Sequence, residues 1–198
     1  MKNSRWINIG FQLLALVLAL GFTTLILLGA GANPIEAYKN IILGSVGSFD
    51  KFSDVLVAWI PLLITVAGLL ITFSTGLWNI GVEGQIILGA ISTTWVLRLL
   101  QDTSTPPALT LVLGLLAGLV GGALWASLAG ALKTFGGVNE IFGGLGLNFV
   151  ATALTIWLIF GPWKRPGVAS IGGTESFEPQ LWLPTLPDSR LSLWALGL

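Results

Sequence analysis

The chain has 198 residues, of which 54% are hydrophobic and 9% charged, with nine basic residues balanced by nine acidic ones and a mean hydropathy of +0.89. That is the composition of a membrane protein, and without a basic run to neutralise phosphates it excludes nucleic acid as a partner. The absence of Cys and His removes disulfides, thiolate or imidazole metal sites and the commonest general base, and no cofactor is implied.

A G-x-x-x-x-G-K-[ST] phosphate loop is also missing, because Leu132 stands before Lys133-Thr134 where a glycine is required. Any ATP that is used must therefore be bound by another chain.

Residues 7–28 are a nearly uninterrupted apolar run preceded by Lys2 and Arg5, long enough for a hydrocarbon core about 30 Å thick. The first helix is expected to start in the cytoplasm. Ala30-Gly31-Ala32 has the form of a signal-peptide cleavage site, but the apolar stretch exceeds the usual core of about 7 to 15 residues, so an uncleaved span is the reading taken. Residues 33–54 are mixed, and Pro34 with the amphipathic spacing of PIEAYKNII predicts an interfacial helix and loop outside the membrane. The second span is expected at 55–73, kinked by Pro61, and the third at 85–100. The polar QDTSTPP follows, then a fourth span at 108–132 and a fifth at 141–160.

Residues 161–190, with five prolines and six charges, predict a long exposed extracytoplasmic loop. The apolar residues 191–198 cannot cross a bilayer and read as the start of a sixth span in a chain cut short. The expected fold is thus all-α: a polytopic transmembrane bundle forming one domain over residues 1–198, in contact with membrane lipid. Lys2, Arg5 and Lys133 fall inside but Lys39, Lys51, Lys164 and Arg165 outside, so charge gives this topology little weight. The tryptophans favour it more, with Trp6 at the inner start of span one and Trp59, Trp95 and Trp163 near outer ends.

In span four Gly114, Gly118, Gly122, Ala126 and Gly130 recur every four residues and share one face, where small side chains let helix backbones approach closely. Close packing inside the bundle explains that face, and a subunit interface is the alternative.

The stretch STGLWNIGVEGQIILGA contains the one carboxylate between residues 55 and 97, Glu83. Gly76, Gly81 and Gly84 are poor helix formers, so a broken-helix junction is expected near residues 74–85, of the kind tolerated at membrane depth where it lines a cavity or is buried in protein. If residues 79–90 are helical, Asn79 and Glu83 share one face, with Gly81, Gln85 and Gly89 on the next. Glu83 then has three readings: an N-terminal helix cap, a lining of the solute path, or a proton-coupling group. A second polar cluster comprises Asn139 and Glu140, which favours the head of a helix, and Asn148, buried in span five and expected to bond a neighbouring helix.

Asn79-Ile80-Gly81-Val82-Glu83-Gly84-Gln85 with Leu88-Gly89-Ala90, then Gly137-Val138-Asn139-Glu140, then Leu147-Asn148-Phe149, resembles the permease subunit of bacterial ABC importers for nucleosides and simple sugars, within the larger branched-chain amino acid permease family. The resemblance covers nearly the whole chain. It implies a second permease subunit, a cytoplasmic ATP-binding subunit and an extracytoplasmic solute-binding protein, with Glu83 in the permease core and no enzymatic activity in this chain. Phe135-Gly136 after Lys133 depart from the pattern, Gly143, Gly144 and Gly146 loosen the start of span five, and the ATPase-docking loop is expected beyond Leu198. Branched-chain amino acids are the alternative solute. An ion-coupled carrier, with Glu83 as its carboxylate, and a non-transporting scaffold are the readings from other classes.

Overall fold

The computed structural model describes residues 2–167 and 173–192, with side chains from residue 7 onward. Six helices follow one another: α1 (Lys2–Gly29), α2 (Pro34–Val46), α3 (Phe49–Ser74), α4 (Val82–Leu100), α5 (Pro107–Thr134) and α6 (Glu140–Phe160), with one 3-10 turn at Pro179–Leu181. Among the described residues there is no strand, only the isolated antiparallel bridges Lys164–Thr174 and Thr185–Ser192. The fold class is therefore all-α. Residues 193–198 of the apolar run expected at 191–198, and the side chain of Trp6, lie outside the described residues.

The chain divides into two compact units, one of Met1–Ala58 with Thr185–Ala195, the other of Trp59–Pro184 with Leu196–Leu198. In the first, α1 presents Phe11, Val17 and Leu25 outward along its length, as a helix solvated by lipid does. Gly31, at φ 74°, turns the chain out of α1. Asn33 then caps α2, its side-chain oxygen accepting the N–H of Ile35 at 3.0 Å, and Pro34 takes the first helical position where no N–H is needed. Tyr38 ties α2 back to α1 by donating to the carbonyl of Leu20 at 3.0 Å, with Thr24 Oγ1 2.9 Å away.

Helix α3 begins at Phe49, not at residue 55 as expected. The apolar run marks how much of the helix suits lipid, whereas the polar FDKFSD is helical too, with Asp50 in the first turn and Ser53 Oγ bonded to the Asp50 carbonyl at 2.6 Å. Pro61 sits within this helix, at the cost of the bond its missing N–H would have made to Val57.

In the second unit α4 and α5 run antiparallel along a seam of small residues. At one end a Cβ on Gly114 would lie 2.9 Å from Leu97 Cδ2, in the middle one on Gly89 would lie 3.1 Å from the Gly118 carbonyl oxygen, and further on one on Gly122 would meet the Gln85 carbonyl at 3.2 Å. Gly118 and Gly121 leave room for Thr93 Oγ1 and Ser92 Oγ. No side chain larger than hydrogen fits these positions without a shift, and this is how helices associate where burial from water gives no drive. Helix α6 joins by its first turns, with the backbones of Gly81 and Gly144 in direct contact.

Among the described residues, four helices are long and apolar enough to cross a membrane: α1 from Ile7, α3, α5 and α6. Helix α4, expected as the third of five spans, is not among them on hydropathy. Its polar residues explain this: Gln85 bonds Asn79, Ser92 and Thr93 fill the α5 seam, and Arg98 turns to the 161–184 segment, so they face protein rather than lipid. Lying beside α5 from Gly84 to Leu97, α4 covers much of the same depth.

At Gly144 a Cβ would stand 2.7 Å from the amide nitrogen of Gly81, whereas Gly146 has open space. Gly144→Ala is therefore expected to lower stability by about 1–3 kcal/mol through forced backbone movement, and Gly146→Ala to leave it unchanged or raise it by about 0.5–1 kcal/mol. Thermal unfolding in detergent measures both, and equal losses would contradict the packing described.

Candidate functional site

The site is the junction between α3 and α4. Thr72 and Phe73 close α3 by accepting the N–H groups of Leu77 and Gly76 at 3.0 Å each, a turn that places Gly76 at φ 76°. The chain then runs without helix through Leu77, Trp78, Asn79 and Ile80 until Gly81 opens α4. A helix start leaves its first N–H groups unpaired, and a glycine at the cap has no side chain to serve them.

The missing cap arrives from another helix. Asn148 of α6, only 6% exposed, accepts the N–H of Gly84 on Oδ1 at 2.8 Å and donates from Nδ2 to the Ile80 carbonyl at 3.0 Å. One side chain thus satisfies a donor inside α4 and an acceptor just before it. The bulk-free Gly84 makes this possible: a Cβ there would lie 2.9 Å from Asn148 Oδ1 and 2.8 Å from Trp125 Nε1 on α5. Three helices meet at this glycine.

Asn79 and Gln85 form a second contact across the junction, a reciprocal amide pair with Asn79 Nδ2 donating to Gln85 Oε1 at 3.2 Å and Gln85 Nε2 donating to Asn79 Oδ1 at 3.0 Å. This corrects the expectation that Asn79 and Glu83 share a helical face. The helix starts only at Val82, so Asn79 precedes it and reaches over the first turn to Gln85 instead. Glu83 is exposed in that first turn, where a carboxylate complements the helix dipole.

The second polar cluster stands at the same end of the unit. Asn139 caps α6, accepting the N–H of Ile141 on Oδ1 at 2.9 Å, and Gly137 at φ 64° makes the turn before it. Lys133 in the last turn of α5 pairs with Glu140 in the first turn of α6 at 3.2 Å, each charge matching the dipole of its own helix. Among the glycines and alanine of α5, Gly114, Gly118 and Gly122 lie against α4, Ala126 is half-buried, and Gly130 has open space beside it. The side chains gathered at the junction are amides and an indole, which offer hydrogen bonds and no nucleophile. Among the described residues no cluster of His, Cys, Asp or Glu could hold a metal ion.

Sequence reasoning missed two participants. Trp125 lies away from either expected interface, and its indole N–H is buried without a partner. Arg98, at the far end of α4, was detectable as a lone cation in an apolar helix with Trp95 one turn before it.

The profile of a family described as branched-chain amino acid transport system, permease component, matches residues 51–189. The chain belongs to this family. It is 34% identical over 181 residues, 91% of its length, to a glucose ABC transporter permease protein of Haloferax volcanii, of which it covers 47%. A nucleoside ABC transporter permease protein of Lactococcus lactis is 26% identical over 94% of the chain and 53% of that relative. A guanosine ABC transporter permease protein of Bacillus subtilis is 29% identical over 74% of the chain and 41% of its own length. The chain thus spans about half the length of the curated relatives it matches. No solved structure matches it. The family is one of transport permeases, and this member is a multi-pass membrane protein.

Asn148→Leu leaves the Gly84 N–H and the Ile80 carbonyl unpaired, at about 1–3 kcal/mol for each buried group. Asn148→Asp keeps the acceptor but as a carboxylate sets a negative oxygen against that carbonyl. Its protonated form can donate again, so the variant is expected to regain stability as pH falls. Unfolding midpoints between pH 7.5 and about pH 5 test this; an Asp variant that weakens with acidification in step with the wild type would contradict the assignment.

Proposed function

We propose that this chain acts as the membrane-spanning permease subunit of an ATP-driven ABC importer that carries a small polar solute, a nucleoside or a simple sugar. The observation that carries the reading is the 34% identity over 91% of the chain to a glucose ABC permease, with nucleoside and guanosine permeases among the other relatives. Residues 1–198 act as a permease domain with the N-terminus in the cytoplasm of a cell-membrane protein, and the 161–190 loop lies outside. The partners are a second permease subunit, a cytoplasmic ATP-binding subunit and an extracytoplasmic solute-binding protein. ATP hydrolysed on its own subunit moves the paired permeases between outward-open and inward-open states, and the solute passes chemically unchanged.

In this reading Asn79, Gly81, Glu83, Gly84 and Gln85 form a junction that moves during the cycle or borders the solute path, and Asn139, Glu140 and Asn148 couple α6 to it. What supports a moving element is its construction: a non-helical segment held by a few discrete hydrogen bonds rather than by continuous helix. Branched-chain amino acids are a second solute class, favoured by the description of the family itself.

Uptake of labelled guanosine, D-glucose and L-leucine by cells making the full-length protein with its ATP-binding partner decides among these. The expected result is ATP-dependent accumulation of guanosine or glucose that L-leucine does not inhibit. Leucine uptake would shift the solute class, and uptake that survives ATP depletion but is abolished by a protonophore would overturn the ABC reading in favour of an ion-coupled carrier.

A further inference from the structure

Helix α4 starts well inside the length of its neighbours. Helix α6 has 21 residues, which at about 1.5 Å each just match a hydrocarbon core about 30 Å thick. Gly81 meets Gly144 backbone to backbone, and the Gly84 N–H meets Asn148. Asn148 stands eight residues from the Glu140 end of α6, about 12 Å along the helix. Helix α5 gives the same depth independently, because Trp125, the other neighbour of Gly84, precedes Lys133 by eight residues, again about 12 Å. The Lys133–Glu140 pair marks the polar end of both helices. Between it and the level of Gly84 lie only ASLAGAL of α5 and IFGGLGL of α6, with no charge.

Glu83, in the first turn of α4, falls at this depth. Helical side chains lean toward the N-terminus, so its carboxylate is directed toward the Lys133–Glu140 end. Glu83 is exposed, and among the described residues its side chain has no hydrogen-bond or ion-pair partner. Ile86, three residues on and 55% exposed, continues the same open face of α4. A carboxylate at such depth is costly against hydrocarbon and is found paired or lining water. Toward the far end the glycine seam closes α4 on α5, whereas toward Lys133–Glu140 both α5 and α6 run on for two turns with no α4 between them and lipid or water. Water can therefore reach Glu83 from that end.

We propose that the open face of α4 at Glu83 and Ile86 borders water admitted from the side of the α5–α6 turn, and that the Glu83 charge makes this route favour neutral or cationic solutes over anionic ones, a nucleoside over a nucleotide or a sugar over a sugar phosphate. Lys133 does not offset that charge, being paired with Glu140. That solute passes along this face rests on the importer reading above; the depth and exposure of Glu83 do not.

The 198 residues contain no cysteine, so single cysteines report access to water. The test uses the full-length permease with its ATP-binding subunit, any cysteines elsewhere replaced by serine, in vesicles of both orientations, with and without a non-hydrolysable ATP analogue. Membrane-impermeant cationic and anionic methanethiosulfonates are applied to Glu83→Cys, Ile86→Cys, Phe135→Cys and Leu124→Cys. Phe135, 88% exposed in the α5–α6 turn, marks the open side, and Leu124, 66% exposed on α5 beside Trp125, marks an apolar surface at the depth of Glu83. Glu83→Cys and Ile86→Cys are expected to react from the same side as Phe135→Cys in at least one nucleotide state, while Leu124→Cys stays unreactive. Adding Glu83→Gln to Ile86→Cys is expected to lower its ratio of cationic to anionic reaction rates about 10-fold, with Phe135→Cys in the same background reacting as before. Cysteines at 83 and 86 no more reactive than Leu124→Cys, reaction only from the opposite side, or a ratio unmoved by Glu83→Gln would overturn the proposal. None of these readouts needs transport, so a protein that passes them yet imports neither glucose nor guanosine counts against the importer reading alone.

Discussion

A helix that begins packed against its neighbours must find partners for those of its first amide groups that are buried there. At the start of α4 that requirement is met by one side chain of α6, Asn148, holding the Gly84 N–H and the Ile80 carbonyl at once. Glycines follow from it. For Asn148 to reach the backbone, residue 84 must lack a side chain, and for α6 to stand close enough, residues 81 and 144 must meet backbone to backbone. With its start so held, α4 lies along α5 through Gly89, Gly118 and Gly122, and its far end presents Arg98 to the 161–184 segment.

This arrangement pairs most of the polar side chains at the junction with one another or with backbone groups. Asn79 with Gln85, Lys133 with Glu140 and Asn148 with two backbone groups together join α4, its preceding segment, α5 and α6 at one end of the unit. Such contacts are few and discrete, so they can be exchanged as a set, whereas the small-residue seam between α4 and α5 moves only as a body. That contrast between a rigid helical pair and a hydrogen-bonded junction is the physical content of the proposed role in transport.

Much of the fold was legible because lipid imposes long apolar runs: α1, α5 and α6 fall within about two residues of their expected bounds at most ends. The same rule mislocates the start of α3, since the polar FDKFSD is helix outside the apolar window, and it takes α4 for a full span, although that helix turns its polar residues to other helices and is not among the spans on hydropathy. The motif from Asn79 to Gln85 carried the family resemblance, and the family profile over residues 51–189 agrees with it. The partner of Asn148 was legible only as another helix; its contacts lie 64 and 68 residues away in sequence, and periodicity carries no information at that range. A shared face for Asn79 and Glu83 requires a helix over residues 79–90, and the helix starts only at Val82. Trp125 and Arg98 escaped notice because their contacts are made by loops and helices brought together only by folding.

The central claim is that α4 is capped from α6 through a single amide group, and amide hydrogen exchange of the wild-type protein in detergent addresses it directly. Val82, Glu83 and Gly84 all lie in the first turn and lack an acceptor within their own helix. The account predicts slow exchange at Gly84, bonded to Asn148, beside fast exchange at Val82 and Glu83. Exchange at Gly84 as fast as at its two neighbours would contradict it.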